Sequence, residues 1–331
     1  MRRWLITGAI VALVLLISLT GLLILQAVER FQAPGPLHGD ATLVVPKGAG
    51  LDAIARRLAD EGVIEDAFTF TLGVRYLGAA RGLKAGEYAF PAGVSMHGVV
   101  AILNSGRTVV HRLTVPEGLS SAEIVALVAG AAALSGEAGP PPPEGSLLPE
   151  TYHYSRDDGR AALVARMGQA MQDLLAELWP TRDPGLPLSS PREALILASV
   201  VEKETGVPNE RPLVASVFIN RLNGGMRLQS DPTVVYGLTR GQAPLGQPLT
   251  QQDLDTPHSY NTYLIDGLPP GPIANPGRAA LEAVLKPAQT RYLYFVADGN
   301  GGHAFAETLD EHNRNVAKWR RLKRQHQQQA N

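Results

Sequence analysis

The chain has 331 residues, of which 45% are hydrophobic and 18% are charged, and its formal net charge is -1. This near-neutral balance argues against a nucleic-acid-binding protein, which would carry a basic excess, so we expect no nucleic-acid partner. Cysteine is absent, which excludes disulfides, a thiolate nucleophile, a cysteine-ligated zinc site and a lipid anchor on cysteine.

The first segment of the chain is strongly apolar. No charged residue lies between Trp4 and Val28, and an arginine pair precedes this stretch. About 20 apolar residues are enough to cross a bilayer as one helix. The alternative is a cleaved signal peptide, whose apolar region is usually about 7–15 residues and ends at a small-x-small site. We predict a cytoplasmic tip and an uncleaved transmembrane anchor over residues 1–30, with the N-terminus in the cytoplasm.

A Gly/Pro linker over residues 31–40 follows, and then one pattern occurs three times. A short apolar segment ends at Pro-x-Gly, and apolar residues recur eight and twelve positions after the proline, which is helical spacing. The prolines are Pro46, Pro91 and Pro116. Proline ends a strand and glycine permits a turn, so each copy predicts a strand, a turn and a helix.

The first copy, VPKGAGLDAIARRLADEGVI, resembles the LysM-like module of cell-wall proteins. We assign a LysM-like α+β module to residues 41–135, and a generic α+β packing module without glycan contact is the open alternative. Pro140–Pro143 predicts a Pro-rich linker or loop over residues 136–146. A helical pattern then begins near Asp158 and ends near Leu178.

The next predicted helix brings two glutamates to its end. It begins at Pro191, with serines before the proline and an acid in the first turn, and a Gly-Val-Pro sequence ends it. At about 100° per residue, Glu204 lies on the same side as the apolar Leu197. Glu202 points about 140° away from Leu197, so we predict it at the edge of the domain or in a supporting position behind the site, and its role stays open.

Glu204 is a candidate acid catalyst on this geometry. A half-buried carboxyl beside loops has a raised pKa, because loss of solvent disfavours its charged form. Such a group can donate a proton near neutral pH. The structural alternative is a buried ion pair of Glu204 with Arg211 or Arg221, or a role in capping the local turn, and helix geometry alone leaves this open.

The loops that follow are rich in amides, hydroxyls and tyrosines, which suit a sugar ligand. Together, VVEKET, ASVFINRL, MRLQSDPTVVYG, YNTY, GLPPGPIANPG and YLYFVADGNGGHAF resemble the endolytic murein transglycosylase family, the YceG-like proteins. The resemblance implies a mixed α/β catalytic domain at residues 147–320, followed by a polar tail over 321–331. The expected fold class is therefore α+β: one transmembrane helix, the LysM-like module and this domain.

The family's catalytic acid is the second glutamate of E-K-E-[TA], which corresponds to Glu204. The family's Pro-Asp-Thr-Tyr-type element reads Pro149-Glu150-Thr151-Tyr152 here, so its acid is kept but lengthened. The candidate substrate contacts are Glu150, Asn220, Gln229, Ser230, Asp231, Thr233, Tyr260, Asn261 and Tyr263.

The resemblance also implies a mechanism. Glu204 protonates the oxygen of the MurNAc-β-1,4-GlcNAc bond, the substrate's N-acetyl group shares the positive charge, and the muramyl 6-hydroxyl then attacks C1. The product is a 1,6-anhydromuramyl end, and no cofactor is expected. We expect the protein in the inner membrane of a bacterium, with its catalytic domain in the periplasm. There it would cleave nascent peptidoglycan strands and end or trim their growth, with peptidoglycan synthases as candidate partners.

Two further functions remain open on the sequence. A glycosidase usually needs two carboxyl groups, so Asp231 acting with Glu204 would make the protein a muramidase. We instead predict Asp231 as a turn residue before Pro232. A noncatalytic wall-binding scaffold, based on the anchor and the LysM-like module, is the alternative from another class. The family's former name, aminodeoxychorismate lyase, implies cytoplasmic pyridoxal chemistry, which does not suit an outward-facing domain.

Two motifs near the end of the chain have structural interpretations. His303, Glu307 and His312 fit no standard zinc spacing, so we expect no metal site. Residues 292–297 predict a strand, and Gly299–Gly302 predicts a hairpin turn directly after it.

Overall fold

The computed structural model describes residues 2–329. It divides into two compact units: the first contains the chain up to His111 together with Ser155–Asp157, and the second contains Arg112–Tyr154 and the chain from Asp158 onwards. The outermost residues of the predicted tip and tail, Met1 and residues 330–331, lie outside the described residues. The predicted domain boundaries stay predictions.

The first unit begins with one continuous apolar helix, α1, at Arg2–Gln32. The span Ile6–Gln32 is long enough to cross a membrane; its most apolar 18-residue stretch has a mean hydropathy of 2.8, and 0% of that stretch is buried. The predicted apolar helix is therefore confirmed. A signal sequence near the N-terminus can also satisfy these criteria of length and composition, so the anchor and its orientation stay predictions.

The rest of the first unit combines helices with one small sheet. Its elements are β1 (Ala41–Val45), α2 (Leu51–Asp60), α3 (Ala67–Tyr76), β2 (Gly86–Phe90) and α4 (Met96–Ser105). Strands β1 and β2 pair antiparallel, from Ala41 opposite Phe90 to Val45 opposite Gly86. Their inner faces pack on the helices around Leu58, Phe70 and Tyr88, which are fully buried.

The three predicted strand-turn-helix copies are confirmed. The glycine of each Pro-x-Gly has a positive φ, of 78°, 66° and 78°, a conformation that glycine adopts without strain. Each helix begins five residues after the proline, at Leu51, Met96 and Ser121. The first two copies pair with each other, whereas β3 (His111–Thr114) of the third copy pairs with β4 (Thr151–Tyr154). The mixed helix-and-strand class is thus confirmed, and the LysM-like character stays a prediction.

The second unit is mainly helical and carries one hairpin. Helix α5 (Ser121–Gly130) precedes β4. The elements that follow β4 are α6 (Arg160–Leu178), α7 (Pro191–Glu204), α8 (Arg211–Asn223), α9 (Asp231–Thr239), α10 (Gln251–Asp255), α11 (Arg278–Leu285), β5 (Tyr294–Ala297), β6 (His303–Ala306) and α12 (Leu309–Gln329). Strands β5 and β6 pair antiparallel around residues 298–302, which confirms the predicted hairpin turn. Helix α7 lies at the centre and packs against α6, α8, α9 and α11.

Helix α7 forms as the sequence predicts. Ser190 is its N-cap and accepts a hydrogen bond from the backbone N–H of Glu193, and Pro191 occupies the first turn. Its apolar side, which includes Leu197, Val200 and Val201, is fully buried. The helix ends at Glu204, because Thr205 already has an extended backbone. Burial of this apolar side therefore fixes the position of Glu204 in the second unit.

Candidate active site

Glu204 is half-buried at the C-terminal end of α7, as predicted. Its Oε1 accepts a hydrogen bond from Ser230 Oγ at 2.5 Å. Burial raises the pKa of Glu204 to about 7, and the nearby Asp231 carboxylate adds to this, although Ser230, His303 and Arg221 act in the opposite direction. Near neutral pH the carboxyl therefore populates both its protonated and its ionised form.

Two threonine hydroxyl groups hold Ser230 in place. The Ser230 N–H donates to Thr262 Oγ1 at 2.9 Å, and Thr233 Oγ1 donates to the Ser230 carbonyl at 2.7 Å. The two threonine hydroxyls are 2.8 Å apart, and both residues are fully buried. Thr233 thus acts inside this network. Thr262 was not predicted as a site residue. Its only signal in the sequence is its position between Asn261 and Tyr263.

The backbone conformation of Gln229 directs the chain into this hydrogen-bond network. Its φ of 51° is in the left-handed region, which is uncommon for a residue with a side chain and marks strain that the surroundings must hold. Its N–H donates to the Thr262 carbonyl at 3.1 Å, and the Arg221 guanidinium donates to the preceding Leu228 carbonyl at 2.7 Å. The Gln229 side chain is exposed.

Asp231 and Tyr263 form a second pair beside Glu204. The Tyr263 hydroxyl donates to Asp231 Oδ1 at 2.6 Å. Burial, followed by the bond to Asp231, raises the pKa of Tyr263, so its hydroxyl remains a donor. Asp231 is exposed and is the first residue of α9, directly before Pro232. The sequence predicted a turn residue before Pro232, whereas the structure places Asp231 in the first turn of α9, because proline at position 232 suits the first turn of a helix.

The amides of Asn220 and Asn261 are engaged within the protein. Asn220 Nδ2 donates to the carbonyls of Thr290 and Tyr292, both at 3.0 Å. Asn261 is fully buried; its Nδ2 donates to two carbonyls at the end of α10, and its Oδ1 accepts the Tyr263 N–H. These bonds favour a structural role for both residues.

Tyr260 and Glu150 lie apart from the hydroxyl network. The Tyr260 ring packs 4.9 Å from the Tyr236 ring, and the Arg240 guanidinium lies 5.1 Å above it. Glu150 is exposed and accepts a hydrogen bond from the adjacent Thr151 N–H. Burial raises the pKa of Tyr152 to about 12, and the charge of Glu150 adds to this, so Glu150 belongs to the surroundings of that tyrosine.

Glu202 is buried, so the predicted edge position is wrong. Its side chain is 4% exposed and pairs with Arg211 at 3.1 Å, and its other oxygen accepts the Gly277 N–H at 2.9 Å. Arg211 also pairs with Glu117 at 3.0 Å. The helix geometry failed here because residues distant in sequence cover this side of α7. Arg211 is thus the partner of Glu202, not of Glu204.

The histidines near the C-terminal end have protein partners. His303 Nδ1 lies 2.7 Å from Glu210 Oε2, a pair that the sequence did not predict, and His312 stacks on Tyr294 with ring centroids 5.2 Å apart. Glu307 pairs with Arg291 at 3.4 Å. Over residues 2–329, no group of three or more His, Cys, Asp or Glu side chains is placed to hold a metal ion.

A groove of about 420 Å³ opens beside Asp231. Lys203, next to Glu204 in the chain, lines it and donates to the Gly118 carbonyl at 3.1 Å. The other lining residues mix apolar and polar groups: Ser120, Glu123, Pro232, Val235, Tyr236, Thr239, Gly241, Ala243, Pro244, Leu245 and Ile273. This composition is that of a site for a ligand with both hydroxyl groups and apolar faces.

Comparison with known proteins gives consistent matches. The model of the YceG-like family matches residues 43–318. The endolytic murein transglycosylase of Bacillus subtilis (strain 168) is 32% identical over 311 residues, which cover 83% of each chain. The endolytic murein transglycosylase of Streptococcus pneumoniae (strain D39) is 28% identical over 83% of this chain, and the match spans 58% of that longer protein.

A solved structure agrees with these matches. The crystal structure of a YceG-like protein from Listeria monocytogenes is 29% identical with a TM-score of 0.51, and the match covers 83% of this chain and 98% of that one. The family model spans most of the chain, so the predicted resemblance is confirmed. The chain belongs to the YceG-like family, a family of lytic transglycosylases.

Proposed function

We propose that this protein is a peptidoglycan lytic transglycosylase in which Glu204 is the catalytic acid. The observation that carries the proposal is the half-buried Glu204 carboxyl, whose pKa burial raises to about 7. Its chain neighbour Lys203 and the nearby Asp231 line the groove. The names of the relatives from B. subtilis and S. pneumoniae support peptidoglycan as the substrate.

The first step is protonation of the glycosidic oxygen. Glu204 donates its proton to the oxygen between MurNAc C1 and GlcNAc, and the electrons of the C1–O bond move to the departing oxygen. An acid with a pKa near the working pH is protonated often enough to act and still gives up its proton readily. The positive charge that develops at C1 is shared by the substrate's own N-acetyl group.

The second step closes the muramyl ring. The Glu204 carboxylate takes the proton from the muramyl 6-hydroxyl while that oxygen attacks C1, so a C1–O6 bond forms and Glu204 is protonated again. Ser230 Oγ, which is hydrogen-bonded to Glu204 Oε1, stabilises the carboxylate between the two steps. Water is not a reactant in either step, and one carboxyl group performs both proton transfers.

Asp231 is the observation behind a second candidate function. It is an exposed carboxylate close enough to raise the pKa of Glu204, and two nearby carboxyl groups suit a hydrolase. We assign Asp231 an electrostatic role, because one of its carboxylate oxygens already accepts a hydrogen bond from the Tyr263 hydroxyl. A muramidase that uses Glu204 and Asp231 is the alternative.

We further propose that α1 is an uncleaved anchor in the bacterial inner membrane and that the remaining chain faces the periplasm. The charge-free length of α1 supports this location. A tethered enzyme reaches only strands close to the bilayer, so its substrate would be nascent glycan, cleaved internally to end or trim growth. The strand-turn-helix copies would act as a LysM-like glycan-binding module, and peptidoglycan synthases are the candidate partners.

The test is product analysis in water enriched in ¹⁸O, with the full chain in detergent and uncrosslinked glycan strands. We expect 1,6-anhydromuramyl ends without ¹⁸O. Reducing muramic ends that carry ¹⁸O would contradict the proposal and support the muramidase, and strands that are bound but left intact would support the scaffold.

A further inference from the structure

Helix α3 of the first unit exposes an apolar face. Phe68, Leu72 and Tyr76 are 76%, 51% and 88% exposed. They are four residues apart, so they lie along one side of the helix. The opposite side carries Phe70 and Val74, which are fully buried in the core of the unit. Helix α3 therefore turns one apolar face to the core and a second, larger one outwards.

This face lies beside the end of the apolar helix α1. Phe31, near the end of α1, is 8% exposed and belongs to the same core as α3. Its ring packs on Gly73 of α3 so closely that a Cβ on Gly73 would lie 2.3 Å from a ring carbon. The last turn of α1 is thus fixed against α3 within one compact unit.

The helix rise gives the depth of this contact. The charge-free stretch of α1 ends at Val28, and Phe31 lies three residues further, which is about 4.5 Å along the axis. The headgroup layers add roughly 5–8 Å on each side of a hydrocarbon core of about 30 Å. When α1 spans a bilayer, a helix packed on Phe31 therefore lies at the level of the headgroups.

We propose that the exposed face of α3 docks onto the bilayer surface, with Phe68, Leu72 and Tyr76 in the interfacial layer. The inference depends on the anchor role of α1 given under the proposed function. Aromatic side chains favour the membrane interface, since they have an apolar body and tolerate a wet edge. The apolar face belongs to a helix that packs directly against the end of α1, which identifies lipid as its occupant.

The charges around this face are compatible with headgroups. Arg56 and Arg75 line a groove of about 260 Å³ together with Phe68 and Leu72, so two guanidinium groups border the apolar stripe. Asp52 lines the same groove and pairs with Arg75 at 3.2 Å. Both partners of that pair are more than 60% exposed, and such a pair exchanges readily with a lipid phosphate.

The absence of cysteine permits a direct test with single-cysteine variants of the full chain in lipid nanodiscs. An environment-sensitive fluorophore is attached at Leu72→Cys, at Leu16→Cys within α1, or at Val110→Cys. Val110 is the matched control, because it is an exposed apolar residue of the same unit, at 58%. Quenching is measured with lipids that carry a spin label near the headgroup or near the end of the acyl chain.

We expect the headgroup-level label to quench position 72 several-fold more than position 110, and the deep label to quench position 16. In a Phe68→Ser/Tyr76→Ser background, quenching at position 72 falls towards that at position 110. Equal, weak quenching at positions 72 and 110 with a quenched position 16 overturns the docking and leaves the anchor intact. An unquenched position 16 overturns the anchor itself. Shielding of position 72 that increases with protein concentration in detergent assigns the face to a second copy and overturns lipid docking.

Discussion

Replacing Glu204 by Gln should stabilise the second unit at alkaline pH and have little effect in acid. Burial holds the pKa of Glu204 at about 7, against an ordinary value of 4.5. A folded pKa above the unfolded one favours folding when the group is protonated, and this stability is lost as pH rises from 4.5 through 7. Glutamine keeps the Oε1 acceptor for Ser230 and cannot ionise, so the variant avoids that loss.

The magnitude follows from the same two values. Each pKa unit corresponds to about 1.36 kcal/mol, so Glu204→Gln should gain about 2–3 kcal/mol in free energy of unfolding at pH 8 relative to pH 5. Urea unfolding followed by tryptophan fluorescence measures this gain, because Trp179 and Trp319 both lie in the second unit.

The control is Glu137→Gln, which removes an exposed carboxyl of the same unit and measures the effect of losing a surface charge alone. If the gain from Glu204→Gln is the same at pH 5 and pH 8, burial does not raise the pKa of Glu204, and the reasoning behind its role as an acid is refuted.

Three further predictions follow from named contacts. Ser230→Ala removes the hydrogen bond that lowers the pKa of Glu204, so the alkaline limb of the pH–rate profile should move up by about one pH unit; an unmoved limb would mean that the bond is only structural. Glu202→Gln removes one of the two carboxylates that pair with the buried Arg211. The variant should lose about 2–3 kcal/mol in free energy of unfolding, measured in urea, with unchanged activity per folded molecule. Gly73→Ala forces a Cβ against the Phe31 ring and should cost about 1–3 kcal/mol, whereas Gly39→Ala, where an added Cβ meets no described atom within 4 Å, should cost nothing measurable.

Local sequence patterns correctly predicted the structural features that depend on residues close together in the chain. Ser190 and Pro191 start α7, and its apolar period places Glu204 on the buried side, so this position was predictable. The same period placed Glu202 at an edge. It is buried because Arg211 and Gly277 cover it, and nothing near Glu202 in the sequence encodes those contacts.

The contacts of polar side chains were predicted less well, for a physical reason. An amide that binds a sugar and an amide that binds a carbonyl look alike in a sequence. Asn220 and Asn261 satisfy backbone carbonyls of their own unit, as buried polar groups must. Thr262 was missed because its bonds reach Ser230 and Thr233 at the start of α9, about 30 residues earlier in the chain. The pairing of the third strand-turn-helix copy with β4 was not predicted either, because the residues of a strand do not specify which other strand it pairs with.

The most direct test of the role of Glu204 is the rate at which 1,6-anhydromuramyl ends appear on uncrosslinked glycan strands, for the full chain and its Glu204→Gln variant at neutral pH. We predict that the unchanged chain produces these ends, while the variant, folded as shown by its urea transition, loses at least about 10²-fold in rate, as expected for removal of a positioned general acid. A variant that is folded and still forms anhydro ends at the original rate would contradict the assignment of Glu204 as the catalytic acid.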